Sequence, residues 1–119
     1  MTSDETFDES CLFCKIVAGQ IPADVVHTGE RTVAFRDIAP KAPLHVLVVP
    51  REHQPNAAAI AASNPAATAD LITVAREVAI AEGYDDYRLV FNTGAGAGQT
   101  VFHAHVHLLA GGDLPFAAG

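Results

Sequence analysis

The chain has 119 residues, 50% of them hydrophobic, and a formal net charge of −7. That length supports one sizeable core and leaves no material for a second domain. Its seven basic residues are scattered singly, which excludes a stripe for tracking nucleic acid or an anionic membrane surface, and no apolar run nears the ~20 residues of a membrane span. The opening MTSDETFDES lacks the basic and apolar parts of a signal peptide, so a cytoplasmic protein is expected.

Residues 1–10 read as a flexible acidic tail, polar and without periodicity, and a single domain is expected over 11–119. CLFCKIVAG predicts a short helix stopped by Gly19, with Leu12, Phe13 and Ile16 turned inward. Its C-x-x-C spacing suits a metal site or a redox pair better than a structural disulfide in a reducing compartment. DVVHT and TVAFRDI, divided by GE, read as a hairpin. LHVLVVP is a third strand, with His45, Leu47 and Val49 on one face and Leu44, Val46 and Val48 on the other. A long helix is expected through PAATADLITVAREVAIAEG, capped by Asn64, with Pro65 in its first turn, Leu71, Val74, Ala75 and Val78 buried, and Gly83 past its end. YRLVFNT and TVFHAHVHLLAG are two further strands joined by GAGAGQ. The class is α+β, an antiparallel sheet of about five strands with one long helix and a short N-terminal one.

Three of the six histidines, His103, His105 and His107, alternate along the last strand and so share one face, while Ala104, Val106 and Leu108 face the other layer. Extended chain over that stretch spans ~13 Å, at ~3.3 Å per residue. Zinc ligands at ~2.0 Å from one ion must converge more closely, so the three cannot share an ion without bending the strand. A cupin-like site would also want a carboxylate soon after its H-x-H pair, and the next acidic residue is Asp113. Histidine can instead attack phosphorus as a neutral base, carry the resulting bond and change protonation near pH 7.

The segment HAHVHLL resembles the motif of the histidine triad superfamily at all seven positions. LFCKIVAGQIPADVV, AFRDIAPKAPLHVLVVPREH and VFNTGAGAGQTVFHAHVHLLAGG resemble its Hint-type branch in order and spacing. The resemblance implies the HIT fold, a homodimer, and hydrolysis of nucleoside phosphoramidates or related adenylylated compounds through a nucleotidyl-histidine. It implies His105 as nucleophile, His107 as a phosphate contact that helps move a proton, His103 as an orienting or zinc-binding residue, and His45 as a further member of the group. Glutamine usually stands at the His107 position in the transferase branch, so a histidine there favours hydrolysis.

GAGAG at 94–98 is followed by a strand rather than a helix, unlike a dinucleotide-binding fingerprint. It reads as a flexible loop whose backbone N–H groups can approach phosphate. The resemblance implies Asn92, Gly98, Gln99 and Thr100 on the phosphate side, with the Thr100 hydroxyl near the leaving group. It places Phe13, Ile16, Ile21, Phe35 and Ile38 around a purine base and Asp37 on the ribose hydroxyls. Core packing is the competing reading of the apolar residues among them. It also implies a structural zinc on Cys11, Cys14, His53 and His103, against a redox dithiol or two inert thiols, and no organic cofactor. The ending GGDLPFAAG departs from the Arg- and Trp-containing tail of animal Hint proteins, with Phe116 near the Trp position, which bears on leaving-group preference. Alternative readings are a dinucleoside polyphosphate hydrolase, a purine-nucleotide-binding or scaffolding module, and a zinc-dependent hydrolase.

Overall fold

The computed structural model describes residues 7–114. In chain order they form α1 (Leu12–Val17), β1 (Val25–Thr28), β2 (Thr32–Arg36), β3 (Leu44–Pro50), α2 (Ala57–Ser63), α3 (Pro65–Ala81), β4 (Arg88–Val90), a single 3-10 turn (Ala95–Ala97) and β5 (Val106–Ala110). The strands make one antiparallel sheet in the order β1-β2-β3-β5-β4. This is the α+β class expected, with a third helix added. That helix, α2, was not anticipated, because AAAIAAS offers a single large apolar residue, Ile60, in place of a periodic stripe. Asn56 caps it through a bond from the Ala59 amide (2.9 Å).

The centre of the fold follows from alternation. Leu44, Val46 and Val48 of β3 and Val106 and Leu108 of β5 face Leu71, Val74, Ala75 and Val78 of α3. The opposite face of β3 sends Leu47 and Val49 to Phe13, Val33 and Phe35. Each fully buried Leu or Val contributes about 1.5–3 kcal/mol, so the layer under α3 is the main source of stability. Helix α3 starts where expected: the Asn64 side chain accepts from the Ala67 amide (3.0 Å), Pro65 follows, and Gly83 sits past the end at φ +92°.

Three expectations need correction. Leu12 does not turn inward but is 45% exposed, because the buried side of α1 carries Phe13 and Cys14 instead. Residues 7–10, assigned to the tail, are placed here: Phe7 packs beside the Phe13 cluster and the Cys11 amide donates to the Asp8 carbonyl (2.9 Å). The last strand begins only at Val106, and YRLVFNT forms a strand only over Arg88–Val90. The register that sets Val48 opposite Val106 would bring Ala104 opposite Pro50, which has no N–H to donate. The ladder therefore stops, and the Ala104 amide donates to the Gln54 carbonyl instead (2.8 Å). Residues 1–6 of the expected tail, and Phe116, lie outside the described residues.

Candidate active site and metal cluster

Although only His107 lies within β5, the alternation of the histidines survives the end of the strand. Ala104 packs with Ile60 and Ala67 on the helix side. His103, His105 and His107 all lie on the other, with the Phe13 ring meeting His103 and His105 edge-on at 5.9 and 5.2 Å and His105 meeting His107 at 5.1 Å. Each ring is then oriented by a different partner, the Pro50 carbonyl for His103, the His103 carbonyl for His105 and the His45 ring for His107.

The His105 Nδ1–H donates to the His103 carbonyl (2.8 Å), so its Nε2 holds the lone pair. The Lys41 amide can only donate, and it donates to His45 Nδ1 (3.0 Å). The His45 proton therefore sits on Nε2, which donates to His107 Nδ1 (3.0 Å), and the His107 proton is left on Nε2. Burial favours the neutral ring in each case. It pushes the pKa of His107 down to about 4, assisted by the neighbouring His105 and His45, and lowers those of His105 and His45. A neutral ring with its Nδ1–H donated to a carbonyl and its Nε2 unprotonated is the form in which imidazole is nucleophilic.

These rings border a cavity of about 500 Å³, within the range of small-molecule sites. Of the residues expected around a nucleotide, Phe13, Ile16, Ile21, Phe35, Asp37, Ile38, Asn92, Gly98, Thr100, His105 and His107 all line it. His45 stands behind His107, and the Asp37 carboxylate lies 3.5 Å from His45 Nε2. Gln99 does not line the cavity. Its side chain is buried and fully bonded, accepting from the Gly94 amide (2.8 Å) and donating to the carbonyls of Pro55 (2.6 Å) and Val101 (3.0 Å). The amides of Gly98 and Gln99 close the turn on Ala95 and Gly94 (3.0 and 3.1 Å), and Gly94 and Gly98 take the positive φ angles that turn needs. Gln99 thus braces the loop. Leu12, Pro22, Ala23, Arg36, Leu47 and Val101 line the cavity without having been anticipated. Most are apolar residues that a pattern cannot separate from core.

His103 is turned away from the cavity. Its Nε2–H donates to the Pro50 carbonyl (2.8 Å), leaving the Nδ1 lone pair 3.4 Å from Cys11 Sγ, 3.6 Å from Cys14 Sγ and 3.1 Å from His53 Nδ1. His53 Nδ1 is in turn 3.3 Å from Cys14 Sγ. A tetrahedron with bonds of ~2.0 Å to nitrogen and ~2.3 Å to sulfur has edges of ~3.3–3.8 Å. These four separations match that spacing to within a few tenths of an ångström, and all four donors lie within 4.8 Å of one another, so the cluster can hold a metal. Without a cation, burial pushes the Cys14 thiol up to about 11 and His103 down to about 4; a bound cation would favour the thiolate. The two cysteines are not disulfide-bonded.

A second group, Asp37, His45 and His107, is comparably close. It is a poor metal site, because His45 Nε2 carries the proton that its bond from the Lys41 amide dictates.

Residues 18–114 match the family model of the HIT domain. The purine nucleoside phosphoramidase of Escherichia coli K12 is 42% identical over 108 residues, covering 89% of this chain and 91% of that protein. An uncharacterized HIT-like protein of Synechococcus elongatus is 41% identical over 112 residues, covering 93% and 98%. The solved HIT family hydrolase of Clostridium thermocellum superposes with a TM-score of 0.88 at 42% identity, covering 93% and 98%. With the histidine row, its fold and these relatives in agreement, the chain belongs to the HIT domain family.

Proposed function

We propose that the protein is a hydrolase that cleaves AMP-amine phosphoramidates or related adenylylated compounds through a covalent nucleotidyl-His105. The observation that carries this reading is the pair of fixed tautomers, with a lone pair on His105 Nε2 and a proton on His107 Nε2 at the wall of one cavity. The apolar end at Phe13, Ile16, Ile21, Phe35 and Ile38 suits a purine base, and Asp37 suits the ribose hydroxyls. The name of the E. coli relative points to the same substrate class.

In the first step His105 Nε2 bonds to phosphorus and the P–N bond breaks. The departing amine takes a proton drawn from solvent past the Thr100 hydroxyl. Water then bonds to phosphorus, the P–Nε2 bond breaks, and AMP and one proton are released with His105 neutral again. The His107 Nε2–H faces the phosphoryl oxygens and stabilises their charge. Incubation with an AMP-amine should label one peptide, containing His105; an adduct that persists in His105→Ala would overturn the assignment.

We also infer that Cys11, Cys14, His53 and His103 hold a structural zinc, which supplies a closed clamp between α1 and the histidine row. The reading rests on the two-sulfur, two-nitrogen donor set and the close approach of its four atoms, all within 4.8 Å of one another. Protein purified without chelator should carry about one zinc per chain, and less than about one-tenth with titratable thiols would overturn it.

The active unit is proposed to be a homodimer built on α3 and the β4 edge. Ile72 and Ile80 are 48% and 47% exposed, Phe91 is 37% exposed, and β4 ends the sheet with an open edge. Light scattering at micromolar concentration that finds only a 12.4 kDa species would overturn it. A cytoplasmic location is proposed as well, since a C-x-x-C pair held as free thiols suits a reducing compartment, and among the described residues no helix is long and apolar enough to cross a membrane.

A further inference from the structure

The nucleotide-sized cavity is not the only hollow at the reaction site. A second one, of about 370 Å³, lies against the same wall and shares Leu12, Thr100 and Val101 with the first. Its remaining lining includes Asp8, Ser10, His53 and Phe102, the last 51% exposed. The two hollows meet at Thr100, the residue beside which the scissile bond is expected.

A phosphoramidase must place two things, the nucleoside and the amine that departs. The first hollow is largely apolar away from its phosphate end, and its one carboxylate, Asp37, is accompanied by Arg36. The second differs in charge: Asp8 is the only carboxylate among its lining residues, and no Lys or Arg lines it. The carboxylate is held in place by the Ser10 amide (2.8 Å) and hydroxyl (2.6 Å), and its other oxygen is 4.0 Å from His53 Nε2. An aspartate carboxyl, with an ordinary pKa of ~3.9, is anionic at neutral pH.

We propose that this second hollow is the leaving-group subsite and that it selects amines carrying a further positive charge over neutral or anionic leaving groups. Phe102, Leu12 and Val101 offer an apolar wall for a short alkyl stem, and Asp8 meets a cation at its far end. The same charge disfavours a departing nucleotide or phosphate chain, which separates phosphoramidates from dinucleoside polyphosphates. The proposal rests on the hydrolase reading for the position of the scissile bond.

The test uses the full chain and three AMP conjugates of equal-length linear amines ending in an ammonium, a hydroxyl or a carboxylate. The ammonium conjugate should exceed the hydroxyl one in kcat/KM by about threefold to tenfold at low salt, with the carboxylate one last. The differences should shrink in ~1 M salt, where the screening length is ~3 Å. Asp8→Asn should bring the three within about twofold of one another. Asp85→Asn, which removes an equal charge elsewhere, should keep the ranking. Equal rates for the three conjugates, or a ranking that survives both Asp8→Asn and high salt, would overturn the proposal. The salt series on the unaltered protein decides the matter if Asp8→Asn folds poorly. Binding of the three conjugates to His105→Asn, measured by calorimetry, reads the same ranking without chemistry. Absent turnover with ranked binding would therefore count against the hydrolase reading alone, and absent ranking against the subsite.

Discussion

The run from His103 to Leu108 serves two layers whose demands differ. On the helix side Ala104, Val106 and Leu108 meet only apolar neighbours, and an aliphatic residue of similar volume could replace each without a change of chemistry. On the other side every histidine has one ring nitrogen fixed by a named partner: the Pro50 carbonyl, the His103 carbonyl and His45. The first layer supplies stability without chemical specificity, whereas the second supplies tautomers at some cost, since three rings are partly desolvated there. Damage to the two faces should accordingly be separable.

The largest separation is expected at His105. His105→Asn should lower kcat by about 10³-fold or more while leaving the melting temperature within about 3 °C and retaining nucleotide binding. Leu71→Ala should do the reverse. Leu71 is wholly buried in the centre of the helix layer, and its truncation should cost about 3 kcal/mol in denaturant unfolding, with kcat near the original value at temperatures where the variant is folded. A Leu71→Ala protein that is stable but slow would show that the two faces are coupled rather than separate.

How much of this division was legible beforehand depends on the residue. Period-two alternation places Val106 and His107 on opposite layers whatever the ladder does, so the layer each histidine joins could be read from spacing. Where the strand begins could not, because that depends on Pro50, far earlier in the chain, lacking a donor in the register that β3 and β5 adopt. Motif matching placed Gln99 on the phosphate side, since an amide can face a phosphate or a backbone equally well. Its direction was decided by the unpaired carbonyls of Pro55 and Val101 and the Gly94 amide, which no local pattern reveals. Leu12 was misread for a related reason. On a one-and-a-half-turn helix, two cysteines and a phenylalanine are enough to fill the buried side, and the larger aliphatic residue is left to the cavity wall.

Gln99 offers a sharper test, because it belongs to neither face and supports only the loop. Gln99→Ala leaves the Gly94 amide and two carbonyls without their partner, a penalty of about 1–3 kcal/mol for each group that stays buried. Relaxation of the loop into solvent should absorb much of it. Stability should therefore fall by only about 1–2 kcal/mol, while kcat/KM falls about tenfold through misplacement of Thr100 and Asn92. Product AMP binding should weaken less than kcat, since the base pocket does not involve the loop. Unchanged kcat with weakened AMP binding would mean that the loop positions the nucleoside rather than the phosphorus.

The smallest expected effect is on the pH profile, and its sign distinguishes a tuned histidine face from an ordinary one. An unperturbed histidine has a pKa of ~6.5, so a reaction needing neutral imidazole would lose half its rate near that pH. Burial lowers the pKa of His105 and pushes His107 down to about 4. His107 therefore stays neutral well past 6.5 on acidification and His105 takes up its proton below that value, so the acid limb of kcat/KM should lie below 6.5. Stability follows the same groups. A histidine whose folded pKa is depressed resists protonation in the folded state, while the unfolded chain takes up its proton near pH 6.5. The contribution from His107 is thus fully present above about 6.5 and is lost as pH falls from there toward about 4. Activity at pH 6 should fall by less than an unperturbed imidazole would lose, even though unfolding by denaturant already becomes easier in that interval. His45→Gln removes the ring that donates to His107 Nδ1, so the His107 tautomer is no longer dictated, and the acid limb should move or broaden while the melting temperature changes little. An acid limb centred at or above 6.5 in the unaltered protein would mean that the rings titrate as if exposed, and the contrast between the two faces would lose its electrostatic half.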